Sequence, residues 1–195
     1  MGPLIVAGIL IDKKNIVKLE ELRVKDSKLI RPKIRERLDS KIKTVVNSYQ
    51  YSMLSVETID YSVEKGDKLN SLEIETMARL INRLKPDVAY IDAIGPIEKN
   101  FVIRISQHID PKIKIIAKHK ADSRYLVVSA ASILAKVKRD RTINKLRNTY
   151  GDFGSGYPSD LKTRNFLKQW VKKFGEAPIF ARKSWKTVKR LEYNT

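Results

Sequence analysis

The amino-acid sequence predicts an α/β protein, a mixed sheet flanked by helices and followed by a helical C-terminal region. Three observations carry this reading. Short β-rich runs such as "LIVAGIL", "VAYID" and "KIIA" alternate with longer amphipathic stretches. In the second half strand, helix and strand succeed one another, the order that parallel pairing requires, whereas the first half is more hairpin-like. Beyond Tyr150 a glycine-bearing loop leads into basic helical segments.

Taken in order, Leu4–Ile11 is an unbroken apolar stretch and reads as a buried strand, and "DKKN" as the turn after it. "LEELRVKDSKLI" has no regular period. "RPKIRERLDSKIKTVV" reads as a helix, with Pro32 tolerated in its first turn. "SYQYSMLSVET" is β-rich, with Tyr49, Tyr51, Leu54 and Val56, and reads as a strand. "LNSLEIETMARLINRLKPD" is a helix: Asn70 can cap it, Glu73 completes a capping-box pattern, and Leu72, Met77, Leu80 and Leu84 form its core stripe. "DVAYID" is a strand ending at Asp92, "PIEKNFVIRISQHI" a helix and "KIKIIAKHK" a strand. One long helix is expected from Asp122 to about Tyr150. Its small residues Ser129, Ala130, Ala131, Ser132 and Ala135 suit close packing. "GDFGSGYPSD" is a loop, "LKTRNFLKQWVKKFG" an amphipathic helix stopped by Gly175, and "KSWKTVKRLEY" a last short helix.

Composition narrows the function classes. The 195 residues suffice for a sizeable core. No apolar run approaches the roughly 20 residues of a bilayer span, and no basic segment precedes "LIVAGIL" as in a signal peptide, so a soluble, cytoplasmic protein without membrane association is expected. Without cysteine there are no disulfides or thiolate metal sites, and with two histidines a metal would sit on carboxylates. The net charge is +18, and it is uneven: residues 1–110 hold 19 basic and 16 acidic residues, residues 111–195 hold 21 and 6. Such a basic half points to a polyanionic partner, nucleic acid foremost.

Several residues could carry chemistry. Asp92 ends one strand and Asp122 follows another. If those strands pair in parallel, both carboxylates emerge at the carboxyl edge, where open α/β sheets place their sites. Two converging carboxylates on a basic protein suggest Mg²⁺ or Mn²⁺ and phosphodiester cleavage. Each also has a plain structural reading, Asp122 as a helix cap and Asp92 as a turn residue. Tyr157, between the glycines of "GSGYPSD" and Pro158, can stack on a base or sugar or simply pack. "KDSK", with Lys25, Ser27 and Lys28, offers ammoniums and a hydroxyl to phosphates or is a solvated turn. His119 reads as a strand-end residue. Lys168, Lys172, Lys173, Arg182, Lys183, Lys186, Lys189 and Arg190 are expected to grip a duplex backbone without reading its sequence. Lys120 joins this substrate-binding set.

In this order "KDSK", "LN" at Leu69–Asn70, "YID" at Tyr90–Asp92, "KHKAD" at Lys118–Asp122, "VVSAASILAKVKRDR", "YGDFGSGYPSD" and "SWKT" at Ser184–Thr187 resemble ribonuclease HII, especially its archaeal form, over essentially the whole chain. The resemblance implies a ribonuclease H-like catalytic core over residues 1–150 and a basic helical region, residues 151–195, packed on it. It implies an endonuclease that cuts the RNA strand of RNA–DNA hybrids and nicks DNA 5′ to embedded ribonucleotides, using two divalent cations held by four acidic residues. By motif, Asp92 and Asp122 correspond to the third and fourth of these. Tyr157 corresponds to the tyrosine at the RNA–DNA junction sugar, and Lys25, Ser27 and Lys28 to residues on the phosphate backbone.

The family opens with a central strand leading into Asp-Glu-Ala-Gly-Arg-Gly and then a Gly-Pro. Here that Gly-Pro is Gly2–Pro3. The first central strand, two of the four metal ligands and the backbone that reads the 2′-hydroxyl are therefore expected to lack a counterpart, through a mis-set start, a truncation or true loss. The chain alone is then expected to be inactive or impaired, and a monomer only with a complete N-terminus. The competing reading is a non-catalytic RNA–DNA hybrid- or DNA-binding protein.

Overall fold

A computed structural model describes residues 1–24, 30–66 and 68–192. The chain forms two compact units, one of residues 5–52 and 70–138, the other of residues 1–4, 53–69 and 139–195. Among the described residues no helix is long and apolar enough to cross a membrane.

The first unit holds most of β1 (Leu4–Leu10), a 3-10 turn (Lys13–Asn15), α1 (Ile16–Glu21), α2 (Pro32–Val45) and most of β2 (Ser48–Leu54). These are followed by α4 (Leu69–Leu84), β3 (Val88–Asp92), α5 (Glu98–Ser106), β4 (Lys114–Lys118), α6 (Ala121–Arg124) and the start of α7 (Leu126–Tyr150). Between β2 and α4 the chain belongs to the second unit and forms α3 (Val56–Glu64). β1 pairs with β2, and β3 with β4. The second pair is parallel, with Asp92 opposite Lys118, as the strand–helix–strand order predicts.

Two apolar cores organise this unit. Ile74 and Ala78 of α4, Ala89 and Ile91 of β3, Phe101 and Ile105 of α5 and Ala117 of β4 form one. Leu19, Leu38 and Ile42 pack with Ala130, Ile133, Leu134 and Val137 of α7 in the other. The small residues of α7 do what close packing asks: Ala130 is fully buried, and the Ser129 hydroxyl donates to the Val24 carbonyl.

Several expectations change. β1 is only half-buried along its whole length, and its one strand partner among the described residues is β2. The segment read as irregular begins inside α1, whose last three residues it includes, and that helix is too short for its single deep anchor, Leu19, to show a period. The strand expected through Thr58 ends at Leu54, where the Ser55 hydroxyl accepts from the Thr58 amide and starts α3. Asn70 lies inside α4 rather than capping it, and the deepest residues of that helix are Ile74, Thr76, Ala78 and Leu80, while Leu72, Met77 and Leu84 are half-buried. The long helix is interrupted at Tyr125, whose extended backbone separates α6 from α7 and whose ring stacks 4.9 Å from Tyr90.

The second unit is built on α3, the C-terminal part of α7, α8 (Leu161–Phe174) and α9 (Lys186–Glu192). Gly175, at φ 79°, ends α8 as its position predicts. Phe153, Leu167, Val171, Phe180 and Val188 close around Met1, which is 1% exposed. The Met1 amine donates to the Gly156 carbonyl. Burial, then the nearby Arg182 and Arg139 charges, lower this amine from 8.0 to about 4. Asp160 caps α8 and accepts from the Ser155 amide at 2.6 Å, the Ser155 hydroxyl at 2.7 Å and the Lys162 amide at 2.9 Å. These bonds, the two from Ser155 first, hold its carboxyl down to about 2.

The Met1 amine stays neutral in the folded chain between about 4 and 8.0, where the unfolded chain protonates it. The unfolded state binds the extra proton, so stability falls as pH drops through that window. Urea titrations are expected to show unfolding free energy declining from pH 8 toward pH 5 by up to about 1.4 kcal/mol per pH unit; a flat profile there would contradict a buried neutral amine. Gly154→Ala is expected to destabilise the protein, because φ is +78° and the new Cβ would lie 2.4 Å from Asp160 Oδ2. A loss of about 1–3 kcal/mol in the same titrations is anticipated.

Candidate active site

The carboxyl ends of β3 and β4 lie side by side, because the parallel register sets Asp92 against Lys118. The Ala93 amide continues the pairing by donating to the Lys118 carbonyl at 2.9 Å. Asp92 Oδ1 accepts from the Ala121 amide at 3.1 Å. Asp122 is the next residue, 4% exposed, in the first turn of α6. The two aspartates singled out in the sequence are thus brought to one edge, linked through the backbone that separates Ala121 from Asp122. Lys120 stands beside them, exposed, in a left-handed conformation at φ 54°, ψ 40°.

The turn between β4 and α6 is held from outside. Glu98, opening α5, accepts from the His119 amide at 2.8 Å and from the Lys118 ammonium at 3.0 Å. The His119 amide first, then Lys118, keep the Glu98 carboxyl below its ordinary range. His119 Nδ1 lies 3.2 Å from the Ala93 carbonyl, a contact in which the protonated nitrogen donates. His119 therefore ties the two strand ends together, in keeping with the strand-end role read from sequence. Glu98 was not singled out there. Its one signal is its position in the first turn of a helix beside a strand end, which many helix-opening acids share.

The donor set suits a hard divalent cation only in part. Asp92 commits one oxygen to Ala121, and Glu98 is engaged with Lys118 and His119. Among the described residues no group of three or more His, Asp or Glu gathers as a metal cage. Two carboxylates fit Mg²⁺ or Mn²⁺ when a substrate phosphate completes the shell, since such ions are commonly held by one or two carboxylates.

In the other unit the "GSGYPSD" loop presents Tyr157, 49% exposed, with the Arg139 guanidinium 3.9 Å from its ring centroid. One ring face is covered by a cation. Arg139 also donates to the Ser155 carbonyl at 3.2 Å, and the Thr163 hydroxyl accepts from the Gly156 amide at 2.9 Å. Arg139, Asp160 and Thr163 are the loop's supports; sequence reading had not assigned them that part. Buried Asp60 accepts from the Lys183 and Ser184 amides at 2.7 and 3.0 Å, fixing the approach to α9. The Lys183 ammonium lies 3.5 Å from Glu176, and Lys186 is exposed at the start of α9. Lys25, Ser27 and Lys28 lie outside the described residues.

The family model for ribonuclease HII matches residues 1–188. Ribonuclease HII of Thermococcus onnurineus is 47% identical over 98% of this chain and 84% of its own length, and that of Pyrococcus furiosus 45% identical over 98% and 85%. The structure is similar to the crystal structure of ribonuclease H2 from Pyrococcus horikoshii, with TM-score 0.92, 40% identity and coverage of 100% of this chain and 92% of that one. It is also similar to ribonuclease HII in its PCNA complex from Archaeoglobus fulgidus, with TM-score 0.89, 38% identity and coverage of 98% and 90%. Bst-RNase HIII shares the fold at 19% identity and TM-score 0.79, over 99% of this chain and 65% of that one. By that family match and these identities, the chain belongs to the ribonuclease HII family, endoribonucleases that act on RNA–DNA hybrids.

Proposed function

We propose that the chain binds RNA–DNA hybrids and DNA containing ribonucleotides, and that Asp92 and Asp122 hold the divalent cation that promotes hydrolysis 5′ to a ribonucleotide. The observation that carries this reading is the Asp92–Ala121 contact, which sets both aspartates at the carboxyl edge of a parallel strand pair. Mg²⁺ or Mn²⁺ bound there supplies a Lewis acid for the phosphodiester and an acidified water. The chain's own residues bind and orient. Asp92 is oriented through Oδ1, and buried Asp122 is held by the short α6. The Lys120 ammonium neutralises substrate phosphate. Tyr157, backed by Arg139, offers its remaining face to a sugar or base. Lys183 and Lys186, with Lys25, Ser27 and Lys28 of "KDSK", bear on the phosphate backbone.

The sequence contains no Asp-Glu-Ala-Gly-Arg-Gly segment. The second reading is hybrid binding without turnover, which retention of Asp92 and Asp122 disfavours.

A metal-dependent cleavage assay on a hybrid separates the two. Cleavage of the RNA strand that requires Mg²⁺ or Mn²⁺ is expected. Asp92→Asn and Asp122→Asn are expected to remove it. Hybrid binding indifferent to Mg²⁺ and to Asp92→Asn would favour the binder. For affinity, Tyr157→Ala is expected to cost about 1–3 kcal/mol in hybrid binding, and Lys183→Ala or Lys186→Ala to reduce the log–log salt slope by about 1 each. Titrations at several salt concentrations measure both.

A further inference from the structure

We infer that Glu98 is a positioning residue for the Asp92–Asp122 edge: through the His119 amide and the Lys118 ammonium it holds the β4–α6 turn in the shape that delivers the Ala121 amide to Asp92. This deepens the function proposed above and rests on Asp92 and Asp122 being the cation ligands.

The turn has little freedom and some strain. Residues 118–121 must leave β4 and bring the Ala121 amide to Asp92 Oδ1, 3.1 Å away. They do so by placing Lys120 at φ 54°, a region that costs a non-glycine residue about 1–3 kcal/mol unless neighbouring bonds over-determine it. Those bonds come from both sides. Downstream, the Ser123 amide and hydroxyl both donate to the Lys120 carbonyl, at 3.0 and 2.8 Å. Upstream, one carboxylate spans two consecutive residues: Glu98 Oε1 takes the His119 amide at 2.8 Å and Oε2 the Lys118 ammonium at 3.0 Å.

Lys118 is the register partner of Asp92, so Glu98 grips the residue facing the proposed ligand. The His119 ring, directed to the Ala93 carbonyl, carries the same restraint across to the residue after Asp92. Glu98 is also the first residue of α5, whose Phe101 and Ile105 are anchored in the core that contains Ala89, Ile91 and Ala117. The carboxylate thus stands on a rigid base and fixes a loop bearing a ligand, the arrangement by which outer-shell partners hold ligands in place. Both of its oxygens are engaged with the turn itself.

The test uses the full 195-residue chain with Glu98→Ala, Glu98→Gln and Asp92→Asn. Amide hydrogen exchange of His119 and Ala121 is followed by NMR, and Mn²⁺ affinity in the presence of hybrid by electron paramagnetic resonance. Glu98→Ala is expected to accelerate exchange at both amides and to weaken Mn²⁺ binding about 10-fold, as loss of an outer-shell partner does. Glu98→Gln retains an acceptor for the His119 amide and is expected to recover most of both effects, a rescue that simple loss of fold stability would not produce. Unchanged Ala121 exchange and Mn²⁺ affinity in Glu98→Ala would overturn the inference. Mn²⁺ binding insensitive to Asp92→Asn would instead overturn the ligand assignment, while Ala121 exchange in the metal-free chain would still decide whether Glu98 shapes the turn.

Discussion

A backbone amide donated to a carboxylate, Ala121 to Asp92, is the contact that ties the end of β3 to the turn after β4. Asp92 belongs to a strand and Asp122 to the helix that follows the neighbouring strand. What brings them together is the parallel register of β3 on β4 and a four-residue turn that must reverse direction at once. The register is stabilised by apolar packing beneath it, with Ile91 and Ala117 sharing a core with α4 and α5. The reversal is stabilised by polar bonds above it.

The "GSGYPSD" loop follows the same logic with different parts. Its glycines take positive φ, and at Gly154 a side chain would strike Asp160. Asp160 and Thr163 then bind the amides that the turns leave unpaired. Tyr157 reaches solvent on a loop whose backbone is fastened at several points, so its ring is presented without the usual ordering cost. The Arg139 guanidinium covers the other face of the ring.

Much of this was legible in the amino-acid order. The strand–helix–strand alternation between Val88 and Lys118 predicted a parallel pair, and Gly175 predicted the end of α8, because both rest on local rules of connection and backbone conformation. Asp92 and Asp122 could be picked out because strand ends in such sheets gather chemistry. What escaped was short or context-dependent. α1 and α3 are of six and nine residues, and a single buried anchor or a serine cap gives little periodicity to detect. At the break the Tyr125 ring meets, at a tilt of 47°, that of Tyr90, a neighbour thirty-five positions earlier in the chain.

The sequence by itself determined the class of fold, the basic character of the C-terminal part and the family motifs. Those properties depend on residue type and near-neighbour spacing. Tertiary structure decided how each is held: Glu98 and His119 around the β4–α6 turn, Arg139 against Tyr157, Asp60 under the approach to α9. A carboxylate's partners are chosen by distance in space, and the amides at His119, Ala121 and Lys183 become donors for particular oxygens only once strands have paired and helices have packed.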